Sequence, residues 1–93
     1  MIRSFRNSAT ATLFRGQAPK GYPADVLKIA RRKLEMLHAA ARLEDLRVPP
    51  GNRLEALHGD RAGQHSIRVN DRWRICFVWT AAGVEEVEFV DYH

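Results

Sequence analysis

The sequence predicts an α+β domain whose helices lie in the first half and whose antiparallel strands lie in the second. Apolar residues recur with a helical period from 24 to 41, and the helix-breaking run 49–51 follows them. Beyond that run, apolar and polar residues alternate in short segments separated by turns, as in half-buried strands. We therefore expect two or three helices packed on one face of a small twisted antiparallel sheet.

The first elements are short. Residues 2–6 alternate and predict a short strand. Asn7 or Ser8 is suited to cap a helix over 9–15, which Gly16 would end in a left-handed conformation.

A longer helix is predicted after a loop over 16–23 that contains two glycines and two prolines. Pro23 suits the first turn of this helix, where its missing N–H costs nothing. The helix should cover 24–41, and a further turn over 43–47 should follow it. The residues predicted on its buried stripe are Leu27, Ala30, Leu34, Leu37 and Ala41, with Val26 and Ile29 beside them.

The second half reads as a series of strands. The predicted strands cover 53–57, 65–69, 73–79 and 84–91, with a loop over 58–63 and a tight turn at Asn70-Asp71. The third is the strongest, and it should place Trp73, Ile75, Phe77 and Trp79 on one face, and Arg74, Cys76 and Val78 on the other.

Length and composition are those of one small domain over residues 1–93. The chain is 45% apolar, which is enough for a single core. Its one cysteine, Cys76, cannot form an internal disulfide. There is no apolar run of about 18 residues and no signal-peptide core at residues 1–6, so we expect a cytoplasmic protein without a membrane partner.

Charge is unevenly distributed along the chain. There are 15 Lys and Arg against 11 Asp and Glu, a formal net charge of +4. Residues 1–50 carry ten basic and four acidic side chains, whereas residues 80–93 carry four acidic side chains and no Lys or Arg. This asymmetry suits an anionic partner such as nucleic acid, or an acidic protein, and an ordinary domain with a basic helix face would also show it.

Several well-known kinds of catalytic site are missing from the sequence. We find no nucleophile elbow, no spaced serine–histidine–aspartate triad and no glycine-rich phosphate loop. The four histidines lack the paired spacing of a zinc site, and the one cysteine cannot complete it. We therefore expect no metal and no cofactor.

The second half does hold acid, base and guanidinium side chains suited to cleavage of RNA without a metal. RNA supplies its own nucleophile, the 2′-OH, so an enzyme must remove that proton, neutralise the phosphorane and protonate the leaving 5′-oxygen. Histidine suits the proton transfers, and arginine suits the phosphate oxygens. The candidates are Glu55, His58, Arg61, His65, Arg68, Arg74, Asp91, Tyr92 and His93.

Each candidate also has a purely structural interpretation. An arginine in mid-strand such as Arg74 can simply pair with a carboxylate of the core. Histidines such as His58 and His65 are more often surface residues than acids or bases, and Arg61 is by default a solvated loop charge. Residues 91–93 lie where chains usually fray. The residue types are therefore sufficient for a nuclease without being specific to one.

Four segments carry a resemblance to a known family. They are Met1-Ile2-Arg3-Ser4-Phe5-Arg6, Leu57-His58-Gly59-Asp60-Arg61-Ala62-Gly63, the stretch from Ser66-Ile67-Arg68-Val69-Asn70 through Trp73-Arg74-Ile75, and Asp91-Tyr92-His93 at the end. In this order, and at this length, the chain resembles from end to end the HigB-type toxins (plasmid maintenance system killer proteins) of the RelE/ParE superfamily.

The resemblance implies a type II toxin that cleaves mRNA in the decoding site of the ribosome. It implies a HigA-type antitoxin with a helix-turn-helix domain as partner, and operator DNA bound only through that antitoxin. A concave, basic sheet face would be the active surface.

The resemblance also implies roles for single residues. Arg74 would clamp the transition state, and His93 would be the terminal acid or base, with Asp91 and Tyr92 orienting it or the substrate. Arg61 would hold the RNA or the ribosomal backbone. Beside these, we expect Arg68, Glu55 and His65 to contact the RNA.

One position departs from the family pattern. Where such toxins usually have a lysine before Gly-Asp-Arg, this chain has His58. Either His58 is protonated near the RNA, or it takes over a proton transfer, or activity is reduced. Some relatives also have a histidine in place of Glu55 and an aromatic residue in place of His65.

Two other functions are consistent with the same family. One is a ParE-like toxin that binds DNA gyrase and does not cut RNA; Arg74 and the Asp-Tyr-His ending favour cleavage over this. The other is a degenerate toxin that acts mainly with its antitoxin in repressing their operon.

Overall fold

A computed structural model describes residues 1–92 and confirms the α+β architecture. Helix α1 spans Ser8–Phe14 and helix α2 spans Ala24–Ala39. The strands are β1 (Glu55–Ala56), β2 (His65–Arg68), β3 (Trp73–Thr80) and β4 (Gly83–Asp91), and they form one antiparallel sheet in the order β1-β2-β3-β4. Short 3₁₀ turns occupy Leu43–Arg47, Pro50–Asn52 and Gly59–Arg61.

Asn7 rather than Ser8 caps α1, and the helix begins and ends one residue earlier than predicted. The Asn7 side-chain oxygen accepts hydrogen bonds from the backbone N–H of Thr10 at 2.9 Å and from the Thr10 hydroxyl at 2.7 Å. The same hydroxyl oxygen accepts from the backbone N–H of Phe89 at 3.0 Å. The cap therefore also fastens α1 to β4.

Helix α2 buries the predicted stripe except at its end. The buried residues are Val26, Leu27, Ala30, Leu34 and Leu37. The helix starts just after Pro23 and ends at Ala39, so Ala41 is exposed and the prediction of a helix to residue 41 is wrong. The reason is Asp45, whose carboxylate accepts from the N–H groups of Arg42 and Ala41 at 3.0 Å each. These hydrogen bonds turn the chain out of the helix, and they lower the pKa of Asp45.

Both helices pack on one face of the sheet. The core joins Leu34 and Leu37 of α2 to Ile75, Phe77 and Phe89 of the sheet. The tryptophans of β3 pack against this core from its margin, so the aromatic face of β3 is turned toward the helices as predicted. The opposite face of the sheet is covered by neither α1 nor α2.

Strand β4 contains a β-bulge. Glu86 and Val87 together stand opposite Phe77, where regular pairing would place one residue. Glu86 adopts φ 54°, and its N–H donates to the Ser4 hydroxyl at 2.9 Å. Because of the extra residue, Val84 and Val87 are both fully buried although they are three positions apart.

The first six residues are not a strand of their own, which corrects the prediction over 2–6. Ile2 and Phe5 instead form isolated parallel bridges to β4. The extra residue of the bulge, Glu86, lies between the two bridge partners Val84 and Val87 and interrupts a continuous ladder. The chain approaches β4 closely at Gly83, where a Cβ atom would lie 2.6 Å from the Met1 carbonyl oxygen.

Strand β1 is also shorter than the predicted 53–57. Arg53 adopts a left-handed conformation, φ 45° and ψ 58°, at the end of the preceding 3₁₀ turn, so the extended chain begins only after it. That turn is anchored from inside by Asn52, which is fully buried and donates to the Leu46 carbonyl at 3.1 Å.

No helix within residues 1–92 has the length and apolar character needed to cross a membrane.

Candidate active site

The face of the sheet turned away from the helices carries most of the predicted site residues. Alternation along β3 places Arg74 and Cys76 on this face, because Ile75 and Phe77 point into the core. Glu55 is paired with Ser66 across β1 and β2, and Ser66 with Cys76 across β2 and β3. We call this surface the open face, made of Glu55, Arg61, Ser66, Arg68, Arg74, Cys76 and Glu88.

Arg74 is held on the open face by three neighbours. Its Nε donates to the Ser66 hydroxyl at 2.8 Å, and its Nη2 donates to the Arg53 carbonyl at 2.8 Å. The Glu55 carboxylate lies 3.8 Å from the same Nη2. The Arg74 side chain is 12% exposed, and within residues 1–92 its Nη1 donates to no acceptor. The guanidinium is therefore fixed along the edge formed by Nε and Nη2.

A second arginine is directly opposite. Arg68 is paired with Arg74 across β2 and β3, so the two side chains project from the same face. Arg68 forms an ion pair with Asp71, which is itself fully exposed. Two like charges in register repel each other, and a bound anion would relieve that repulsion.

A third arginine, Arg61, contacts the open face at β4. Arg61 donates from Nη1 to Glu88 at 3.2 Å and to Gln64 at 3.1 Å. Arg6 approaches the same Glu88 carboxylate to 4.0 Å.

Cys76, also on the open face, is fully buried, and burial raises the pKa of its thiol. The positive charge of Arg61 opposes this rise in pKa, and the Glu88 carboxylate adds to it.

The segment that contains Asp91 and Tyr92 is tied to the β2–β3 turn by Arg72. The Arg72 Nε donates to the Asp91 carboxylate at 2.7 Å, and its carbonyl accepts from the Tyr92 N–H at 2.9 Å. The Arg72 guanidinium also lies over the Trp73 ring, 5.5 Å from its centre. Asp91 is paired with Trp73 and so projects on the helix side, not the open face. His93 lies outside the described residues.

The two remaining histidine candidates are not brought to Arg74. His58 is exposed in the loop between β1 and β2, at the start of the Gly59–Arg61 turn. His65 is paired with Phe77 and stacks on its ring at 6.2 Å, on the helix side of the sheet. Its Nδ1 is buried and has no hydrogen-bond partner in the part of the chain that is described.

The structure thus assembles Glu55, Arg61, Arg68 and Arg74 on one face. It leaves His58 in the exposed loop after β1 and His65 on the helix side of the sheet. Sequence reasoning missed Ser66, the Arg53 carbonyl and Arg72. The alternation of β2 could have predicted that Ser66 lies on the same face as Arg68. The other two can be recognised only in the folded chain. Arg53 acts through its backbone carbonyl, and Arg72 contacts Asp91, 19 residues away in sequence.

Neither of the two cavities described for residues 1–92 is lined by residues of the open face. Two cavities of about 410 and 420 Å³ lie elsewhere, one between α1 and α2 and one beside Met1 and Trp79. Within residues 1–92, no three His, Cys, Asp or Glu side chains lie close enough together to hold a metal ion.

Known proteins are similar to this chain along most or all of its length. A family model described as the RelE-like toxin of the type II toxin–antitoxin system HigB matches residues 3–93. "Toxin HigB-1" of Vibrio cholerae serotype O1 is 45% identical over 71 residues, which cover 76% of this chain and 74% of that protein. An uncharacterized protein of Haemophilus influenzae is 33% identical over 78 residues, 84% of this chain and 76% of that one. "Endoribonuclease HigB" of Proteus vulgaris is 30% identical over 93 residues, and both chains are covered completely.

Proposed function

The chain belongs to the HigB-like toxins, the RelE-like toxins of type II toxin–antitoxin systems, and from this premise we propose that it is an endoribonuclease that cuts mRNA on the ribosome. The name of the Proteus vulgaris relative, an endoribonuclease matched over its entire length, supports the activity. The open face supports the chemistry, because it presents guanidinium groups to an anion without requiring a metal ion.

The observation that carries the proposal is the fixed guanidinium of Arg74. An electrostatic contact accelerates a reaction most when the group is already oriented toward the charge that develops in the transition state. The hydroxyl and carbonyl that hold Arg74 provide that orientation, and Nη1, which has no acceptor within residues 1–92, would donate to the phosphorane oxygens. Arg68 and Arg61 would hold neighbouring phosphates of the mRNA or of the ribosomal RNA.

The proton transfers are assigned to groups around this clamp. We propose that the nucleophile is the 2′-OH of the RNA, and that His93 protonates the leaving 5′-oxygen. The exposed His58 is the candidate to accept the proton of the 2′-OH, and the exposed Glu55 is a candidate for contact with the RNA. Asp91 and Tyr92 would orient His93, and the contacts of Arg72 support this by holding their segment in place. His65 has the weakest support, since it lies on the helix side of the sheet.

The experiment is cleavage of a defined mRNA on programmed ribosomes. The wild-type protein should leave 2′,3′-cyclic or 3′-phosphate ends and 5′-hydroxyl ends, the products of attack by the neighbouring 2′-OH. Arg74→Ala should reduce the rate roughly 30- to 1000-fold, because a contact made mainly in the transition state is lost. Arg32→Ala, an exposed arginine on α2, is the matched control and should retain activity.

Three outcomes would count against this function. Products with 5′-phosphate ends would reject the 2′-OH mechanism. Full activity in a folded Arg74→Ala protein would reject the clamp. Inhibition of gyrase supercoiling without mRNA cleavage would identify a ParE-like toxin instead.

The partner of a type II toxin is an antitoxin. We propose that this antitoxin is of the HigA type, with a helix-turn-helix domain, and that operator DNA is bound only through it. We further propose that residues 1–93 form the single toxin domain and that it acts in the cytoplasm, where ribosomes and mRNA are found.

A further inference from the structure

We propose that Ser66 and the left-handed backbone at Arg53 are positioning residues for cleavage, which act by holding the guanidinium of Arg74. We call the Ser66 hydroxyl and the Arg53 carbonyl the cradle. This inference rests on the proposed function, because it supposes that Arg74 contacts the reacting phosphate.

Ser66 is a polar residue at a fully buried position. It is 0% exposed, and its hydroxyl accepts from Arg74 Nε at 2.8 Å. Ser66 is paired with Glu55 on one neighbouring strand and with Cys76 on the other. This pairing does not need the hydroxyl, because the strands are joined by backbone hydrogen bonds alone. Burying a hydroxyl is unfavourable unless it is hydrogen-bonded, and here the partner is a charged group of the site.

Arg53 contributes its backbone and not its side chain. The side chain is exposed, while the backbone is left-handed at φ 45° and ψ 58°, a conformation that residues other than glycine rarely adopt. In this conformation the carbonyl oxygen accepts from Arg74 Nη2 at 2.8 Å. An unfavourable local conformation that aims a carbonyl at the site is typical of a functional constraint.

The two acceptors together fix the direction of the guanidinium. Nε and Nη2 lie along one edge of the planar group, so the cradle occupies that edge. Nη1, at the other end, remains available to a phosphate oxygen. Without either acceptor the side chain can rotate, and its contact in the transition state weakens more than substrate binding, which depends on many phosphate contacts.

The first test compares Ser66→Thr with Ser66→Val. The two side chains have nearly the same size and shape, and only threonine keeps the hydroxyl. We expect Ser66→Val to have a kcat roughly 10- to 100-fold below that of Ser66→Thr on programmed ribosomes, with KM changed little. Equal kcat values for the two variants would overturn the role of Ser66.

The second test compares Arg53→Gly with Arg53→Val. Both remove the exposed charge, but glycine accepts the left-handed conformation and valine resists it. We expect the kcat of Arg53→Val to be roughly tenfold or more below that of Arg53→Gly. An equal loss in both variants would show that the side chain, and not the backbone, is what matters.

A double-mutant cycle separates positioning from general stability. In an Arg74→Lys background the two-acceptor geometry is gone, so exchanging Thr for Val at position 66 should no longer change kcat. A drop as large as in the wild-type background would mean that Ser66 supports only the fold. Thermal unfolding of each variant identifies losses caused by instability.

A measurement on the free protein, without RNA, tests the cradle separately from the proposed function. In NMR spectra of the free protein, the Arg74 Nε–H should exchange slowly with water in wild type and Ser66→Thr, and quickly in Ser66→Val. If wild type shows this protection but does not cleave mRNA, the proposed function fails while the cradle stands. If the Nε–H is unprotected in wild type, the cradle is rejected whatever the activity.

Discussion

At the scale of single residues, four arginines of the second half, Arg61, Arg68, Arg72 and Arg74, each have a nearby acceptor. Arg61 is paired with Glu88, Arg68 with Asp71, and Arg72 with Asp91. Arg74 differs, because its closest acceptors are a hydroxyl and a carbonyl, and its nearest carboxylate is 3.8 Å away. Its guanidinium is therefore oriented by two neutral acceptors, and its ion pair with Glu55 is longer than the close pairs of Arg61 and Arg72.

The proposed proton donor can be tested against the exposed histidine. We expect His93→Ala to lower mRNA cleavage by roughly 100-fold or more, because a positioned general acid contributes about 10²- to 10⁴-fold. His58→Ala should have a smaller effect if His58 only helps to hold phosphate. Single-turnover cleavage on programmed ribosomes measures both, and antitoxin binding serves as the control for folding. Near wild-type cleavage by His93→Ala, together with inactive His58→Ala, would move the chemistry to His58.

The buried thiol predicts a dependence of stability on pH. Burial raises the pKa of Cys76 in the folded protein, so the unfolded chain loses the thiol proton first as the pH increases. Stability that is fully present below the unfolded thiol pKa of about 8.5 is then lost progressively above it. Urea unfolding at pH 7 and pH 9.5 should show a larger loss for wild type than for Cys76→Ala. An identical loss in both proteins would contradict the prediction.

At the scale of elements, the bulge of β4 has three structural effects. It returns Val87 to the core, it presents the Glu86 N–H to Ser4, and it separates the two bridges of the opening segment. The bulge therefore determines which side chains of β4 face the helices and which, like Glu88, face Arg61.

The backbone of the bulge makes opposite predictions for two substitutions of Glu86. Glu86→Val should lower the free energy of unfolding by about 1–2 kcal/mol, because φ 54° is unfavourable for a β-branched residue. Glu86→Gly removes the same carboxylate but tolerates this φ, and it should change stability by less than about 1 kcal/mol. Urea unfolding of the two variants measures the difference. Equal losses would show that the carboxylate, not the backbone, is responsible.

At the scale of the whole molecule, the open face depends on packing behind it. The sheet is a single layer, and α2 covers its other side through Leu34 and Leu37, both 0% exposed. A change in this core is therefore transmitted to the strands that carry Ser66 and Arg74.

Leu34 provides the corresponding prediction. Leu34→Ala should lower the free energy of unfolding by about 2–5 kcal/mol, a large part of the 5–15 kcal/mol typical of a small domain. Leu34→Met conserves volume and should cost less than about 1.5 kcal/mol. Urea unfolding followed by circular dichroism gives both values. Equal stability of Leu34→Ala and wild type would mean that α2 does not form the core described.

The class of the fold and the order of its elements follow from the sequence, because they depend on local patterns. The helical stripe of α2 and the alternation of β3 are properties of neighbouring residues, and each survives in the folded chain. Alternation also predicts correctly that Arg74 faces away from the aromatic row. The family was recognisable from motifs in their order, since those motifs are themselves strings of adjacent residues.

Contacts between distant residues were beyond the reach of these patterns. The Arg53 carbonyl meets Arg74 only because a 3₁₀ turn ends in a left-handed residue, and the bulge at Glu86 arises from pairing with β3 and from the Ser4 hydroxyl. His65 alternates correctly as a strand residue, yet which face it occupies depends on its pairing with Phe77. Periodicity records which residues share a face, whereas backbone conformation and strand register, set by packing across the chain, determine which atoms meet.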